Sequence, residues 1–173
     1  MRIELENLAD AGGRFAHSYE PGQLILSDDR VQLADAATVT GRVTQRKTGI
    51  SVTGHIKARV RVDCDRCLNF VELPVETTFS LDYVTPQTYL ANPTAELSED
   101  DMDLSVFDGE ALDVDELVGE QLLLALPSRV LCQETCKGLC PVCGGDRNLA
   151  QCTCESKEID PRWSALKELA QRE

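Results

Sequence analysis

Apolar and polar residues alternate with a period of two through much of residues 37–83. Val52, Gly54, Ile56, Ala58, Val60 and Val62 take every second position, with Lys57, Arg59 and Arg61 between them. After a short break the period resumes in Val71, Leu73, Val75, Thr77, Phe79, Leu81 and Tyr83, set against Glu72, Glu76 and Asp82. Such alternation marks strands with one buried face, and two runs joined by a short connector predict an antiparallel hairpin. A one-residue slip would turn a buried set outward, so the apolar faces fix the register. Val62 then faces Val71, Val60 faces Leu73 and Ala58 faces Val75, which sets Arg61 across from Glu72 and Lys57 across from Glu76. Pro74 cannot donate to a ladder and argues for an edge at that point. An earlier run, from about Val39 to Arg46, reaches the hairpin through Lys47-Thr48-Gly49, giving a meander of at least three strands. Arg14 to Tyr19 and Leu24 to Leu26, linked through Pro21-Gly22, are expected to add short strands.

The period lengthens farther on. Leu117, Val118, Gln121, Leu122, Leu124 and Ala125 predict a core-facing helix over about residues 114–126. Asp113 is its N-cap, Glu116 takes the capping-box position, and Pro127 stops it. Asp160-Pro161 pairs an N-cap with proline at the first helical position, opening a closing helix whose stripe is Trp163, Leu166, Leu169 and Ala170. Residues 85–105 lack periodicity and read as a loop. The expected fold is α+β: an antiparallel β-meander or partly closed sheet, two or more helices, and a C-terminal zinc-knuckle segment. Residues 1–127 would form the β-rich domain. Residues 128–173 would form a cysteine-rich segment with a C-terminal helix packed on that core.

Charge changes the picture in one region. The net charge is −13, and residues 68–128 contain no Lys or Arg. The acid excess therefore lies there, densest in Glu99-Asp100-Asp101-Met102-Asp103. Such a run reads as a solvated loop, and functionally as a lure for a basic partner. Arg42, Arg46, Lys57, Arg59 and Arg61 share one face of neighbouring strands and form a candidate RNA-binding strip, although Glu72 and Glu76 oppose two of them. No aromatic series interleaves with these charges, which argues against base stacking. His17 and His55 are isolated and read as ordinary residues. There is no glycine-rich phosphate loop, no serine–histidine arrangement and no open histidine–carboxylate metal site, so the chain is read as non-enzymatic, with no small-molecule substrate.

Eight cysteines supply the chemistry. Cys64 and Cys67 form one C-x-x-C pair at the hairpin tip. Cys132, Cys136, Cys140, Cys143, Cys152 and Cys154 crowd the C-terminal segment. Met1-Arg2-Ile3-Glu4-Leu5-Glu6 has no apolar run, so the chain is expected in the cytoplasm, without membrane attachment. In a reducing compartment paired cysteines more often hold metal than each other. Zinc is therefore the expected cofactor, as one or two structural ions, over disulfides or an iron–sulfur cluster. In Cys140-Pro-Val-Cys143-Gly144-Gly145, Gly144 permits the left-handed backbone that points amides at sulfur. Cys152/Cys154 is its nearest partner pair, leaving Cys132/Cys136 for Cys64/Cys67. The other partition joins Cys64/Cys67 to Cys140/Cys143, and a single ion with spare thiols is a third arrangement.

Cys64-Asp-Arg-Cys67-Leu68, Leu124-Ala125-Leu126-Pro127, Cys136-Lys-Gly-Leu-Cys140-Pro-Val-Cys143-Gly-Gly and Ile159-Asp160-Pro161-Arg162 occur in that order. Over residues 50 to 170 this resembles the bacterial YceD family, the large ribosomal RNA subunit accumulation proteins. The resemblance implies a cytoplasmic ribosome-assembly factor needed for 23S rRNA processing or accumulation, acting on pre-rRNA or a basic large-subunit ribosomal protein. Where the family often reads Asn-Leu-Asn after the knuckle, this chain has Asp146-Arg147-Asn148, a departure expected to affect loop contacts rather than metal binding. Two other classes remain: a zinc-ribbon adaptor of the transcription machinery, and a thiol redox or metal-handling protein.

Overall fold

A computed structural model describes residues 1–5, 12–46, 49–90 and 104–154. The chain divides into two compact units. One comprises Met1–Asp63 and Phe70–Val130; the other joins Cys64–Asn69 to the chain from Leu131 onward.

The first unit is built on strands β1 (Arg2–Glu4), β2 (Gly13–Tyr19), β3 (Val31–Leu33), β4 (Ala37–Gln45), β5 (Gly49–Asp63), β6 (Phe70–Val84), β7 (Leu104–Val106) and β8 (Ala111–Asp113). β1 and β8 make a two-stranded sheet, and the main sheet runs β2-β4-β5-β6-β7, with β3 beside β5 beyond the end of β4. β4, β5 and β6 form the expected meander. The hairpin register matches the apolar faces: Val62 pairs with Val71, Val60 with Leu73, Ala58 with Val75, Arg61 with Glu72 and Lys57 with Glu76. β7 pairs only with Asp82–Val84, so β6 is an edge at Pro74, where a missing N–H is tolerated. Arg46 N–H donates to Gly49 O at 2.8 Å across the β4–β5 connection; Lys47 and Thr48 lie outside the described residues.

Several expectations are corrected. The sheet is open rather than partly closed. Its apolar face is covered by α2 (Val114–Leu124), which packs against β6 and β1 and shares their core, so no closing strand is needed to bury it. Nor is the sheet purely antiparallel, because β7 lies parallel to β6. A parallel neighbour needs a long connection, and the acidic stretch of sequence separates the two. Leu24–Leu26 is not a strand. Leu24 and Leu26 are buried while Ile25 is exposed, so alternation here reflects packing without a ladder. α2 lies against that segment: a Cβ on Gly119 would make ordinary contact with Leu26 Cδ2 at 3.6 Å.

α2 begins where its cap signal falls. Asp113 Oδ1 accepts from the backbone N–H of Asp115 at 3.0 Å and of Glu116 at 3.3 Å, satisfying two of the free amides of the first turn. Leu117, Val118 and Leu122 are buried, but Leu124 is 76% exposed and does not belong to the core face. Two or more helices longer than a single turn are not found among the described residues. Apart from α2, the described residues hold only one helical turn, α1 (Pro86–Leu90), inside the expected loop. The acidic run 99–103 and the closing helix with Trp163 lie outside the described residues. No helix among those described is long and apolar enough to cross a membrane.

Candidate metal centres

The second unit begins with the loop that links β5 to β6. Leu68 N–H donates to Cys64 O at 2.9 Å, and Cys64 N–H donates to Asn69 O at 2.9 Å. In the second knuckle, Gly144 N–H donates to Cys140 O at 2.9 Å and Cys140 N–H to Gly145 O at 2.8 Å. The two C-x-x-C loops are therefore the same turn built twice. Its fifth position is left-handed in both, with φ of 59° at Leu68 and 71° at Gly144. Glycine adopts that conformation freely; leucine is strained in it.

These turns gather the sulfurs into two sets, Cys64/Cys67/Cys132/Cys136 and Cys140/Cys143/Cys152/Cys154, each with all its sulfurs within 4.8 Å of one another. In the first set Cys64 and Cys136 sulfurs are 3.9 Å apart, and those of Cys67 and Cys132 are 3.5 Å apart. Those separations are far from the roughly 2.05 Å of a disulfide. Four sulfurs about 2.3 Å from a tetrahedral ion would stand about 3.8 Å apart, so the donor set fits one zinc-sized ion. It is too tight for the irons and sulfides of a cluster. The grouping follows the first of the two partitions.

Backbone amides tune the thiols of both sets. Burial raises Cys64, but N–H groups of Arg66, Cys132 and Cys67 outweigh it and bring it down to about 6. N–H groups of Cys143 and Val142 do the same for Cys140, also to about 6. Cys132 is pushed up to about 12 by its hydrogen bond with Cys67 and by desolvation. Cys143 does likewise to Cys154, again to about 12. Against its burial, the hydrogen bond from Asn148 lowers Cys136 too, so each set holds at least one lowered thiol beside one whose proton an arriving cation must displace. Burial separates the two sets. Cys64, Cys67 and Cys136 are buried with Cys132 exposed, whereas only Cys140 is buried in the other.

A polar network braces the first set. Asn148 Nδ2 donates to Cys136 Sγ at 3.4 Å and to Asp146 Oδ1 at 2.7 Å, while Asn148 Oδ1 accepts from Lys137 N–H at 2.8 Å. Asp146 Oδ2 accepts from Asn69 Nδ2 at 3.0 Å. Arg66 Nη1 reaches Cys136 O at 2.6 Å, and Arg66 O accepts from Leu139 N–H at 2.9 Å. Within Asp146-Arg147-Asn148 the residue that touches a sulfur is Asn148, which matches the family pattern, whereas the departing Asp146 makes loop contacts, to Asn69 and Asn148. Asn148 and Leu68 had no signal in a single motif. Superposing the two C-x-x-C stretches would have placed Leu68 at the Gly144 position.

The basic strip lies on the first unit and is mostly neutralised. Lys57 Nζ meets Glu76 at 2.9 Å, Arg61 meets Glu72 at 3.2 Å, Arg59 meets Asp35 at 3.2 Å and Arg46 meets Asp82 at 3.8 Å. Arg42 has no such partner among the described residues; it pairs instead with Arg14, which the sequence reading had not singled out. His55 bonds Glu76 at 3.0 Å and His17 meets the Tyr19 ring edge-on, so neither joins a sulfur set.

An open, mostly antiparallel sheet with one capping helix and two compact four-cysteine sets defines a protein whose cysteines can each take part in closed metal coordination. The chain belongs to the YceD family: the model for Large ribosomal RNA subunit accumulation protein YceD matches residues 52–170, a range containing every cysteine. It is similar to Uncharacterized protein Rv2926c of Mycobacterium tuberculosis (strain ATCC 25618 / H37Rv), 31% identical over 135 residues, covering 74% of this chain and 59% of that one. Uncharacterized protein YlbN of Bacillus subtilis (strain 168) is 22% identical over 171 residues, covering 98% of this chain and 95% of its own. The match thus spans little more than half the length of the mycobacterial relatives. No solved structure matches.

Proposed function

We propose that this protein is a cytoplasmic, non-enzymatic factor of large-ribosomal-subunit assembly, needed for normal accumulation of 23S rRNA. The observation that carries the reading is the family match across residues 52–170. The sulfur sets agree with it. Four thiolates close the coordination shell of a zinc ion and leave no position for substrate, so each ion acts as a fastener rather than a catalyst. The fastened unit would present a fixed surface to a large-subunit precursor.

Two measurements test this. Depleting the protein should lower the ratio of 23S to 16S rRNA, and the tagged protein should co-sediment with large-subunit precursors. An unchanged ratio together with absence from those particles overturns the proposal. Co-purification with RNA polymerase instead would point to a transcription adaptor. Metal analysis should find two zinc atoms per chain and no rapidly alkylated thiol.

A further inference from the structure

We infer that the outer face of the main sheet binds the phosphodiester backbone of RNA, centred on Arg14 and Arg42. The inference rests on the ribosomal reading above and names the surface that would make the contact. It is made for this chain, since neither arginine falls within the family match at residues 52–170.

Arg14 of β2 stands directly opposite Arg42 of β4, and both are exposed. Residues directly opposite have Cβ atoms about 5 Å apart, and like charges so placed cost stability. Neither arginine has a carboxylate within ion-pair distance among the described residues. The other cations of this face, Arg46, Lys57, Arg59 and Arg61, all have one. Among the described residues, the Lys and Arg side chains of this face are matched to carboxylates except where two guanidinium groups are set side by side.

The surroundings suit phosphate oxygens. A shallow trough of 480 Å³ has Arg14, Arg42, three threonines and His55 in its lining, together with Gly41, Gly54 and Phe79. The paired positions Arg14, Arg42, Thr53 and Ser80 form one row across β2, β4, β5 and β6. At the usual interstrand spacing that row spans about 14 Å, longer than one phosphate and open along its length. Guanidinium forks match phosphate oxygens in pairs, and threonine and serine hydroxyls commonly add phosphate contacts. The nearest rings, Phe15 and Phe79, pack over Gly41 and Gly54 in the row between; Phe79 lines the trough but is only 6% exposed, so little ring face is offered to a base. Contact here would follow the backbone, with little preference for base identity.

Binding of the full chain to 23S rRNA fragments across a salt series tests the inference. Affinity of the unaltered protein should fall steeply with salt. The pair Arg14→Ala and Arg42→Ala should lose roughly tenfold or more at low salt, and the slope of log affinity against log salt should shrink by about 1 to 2. Thermal stability of that pair should hold or rise as the repulsion is removed; Arg14→Gln with Arg42→Gln serves if it does not. Arg30→Ala, which removes a charge paired with Asp28, should leave the slope unchanged. A double variant that binds as tightly and with the same slope overturns the inference and leaves the assembly reading standing. A protein that co-sediments with large-subunit precursors but binds no RNA also overturns it, in favour of a protein partner. Loss of co-sedimentation in the unaltered protein would instead defeat the assembly reading itself.

Discussion

Asn148 and Leu68 show how single side chains set the quality of a metal site. Asn148 gives Cys136 a hydrogen bond and pins the Lys137 amide with its other end. Partners that orient a ligand from outside the coordination shell commonly hold roughly 10–100-fold of metal affinity. Asn148→Ala should therefore weaken zinc at the Cys64/Cys67/Cys132/Cys136 set by that order, measured by chelator competition, while the other set keeps its affinity. Equal loss at both sets, or at neither, would contradict this role. Leu68 and Gly144 occupy equivalent left-handed positions, so their substitutions should act in opposite directions. Leu68 is 60% exposed, so Leu68→Gly sacrifices little packing and relieves strain. It should leave stability unchanged or raise it by up to about 1 kcal/mol. Gly144→Ala meets no atom within 4 Å and should cost about 1 kcal/mol from backbone conformation alone. Denaturant unfolding of the zinc-loaded variants checks both signs. Of these residues only Gly144 was legible from sequence, because glycine after C-x-x-C announces its backbone and leucine does not.

Secondary elements with strong local codes were legible almost residue by residue. The β5–β6 hairpin follows its alternation, since each apolar position has only one face on which to be buried. α2 begins at Asp113 because a carboxylate there satisfies first-turn amides. Asp113→Ala should lower stability by about 1 kcal/mol, read as a shift in the urea midpoint with unchanged slope. No shift would mean that β8 alone fixes the start of the helix. The short strands β1, β3, β7 and β8 were missed for a common reason. Each spans three residues, too few to establish a period, and each exists because a partner strand is already in place. Leu24–Leu26 failed the other way, alternating in burial because α2 lies beneath it rather than because a neighbour pairs with it.

In the molecule as a whole, the two sulfur sets differ most in access to solvent. Cys143, Cys152 and Cys154 are exposed, whereas the other set exposes only Cys132. A chelator should therefore empty the zinc-loaded protein in two phases, the faster one from the Cys140/Cys143/Cys152/Cys154 set. Replacing Cys152 and Cys154 with serine should abolish the fast phase and leave the slow one. Release in a single phase would show that burial does not govern exchange here. The main sheet is likewise divided in its charge: four cations of its outer face are matched to carboxylates, and the arginine pair is left for a partner.

Alternation, capping residues and cysteine spacing dictated the meander, its register, the start of α2 and the presence of metal-binding chemistry. Those features depend on neighbours close in sequence or on faces that admit a single burial. Which sulfurs share a site, which cations remain uncompensated and whether the sheet closes were decided only in three dimensions. Each depends on residues far apart along the chain, such as Cys64 with Cys136 or Arg14 with Arg42, whose meeting no local period encodes.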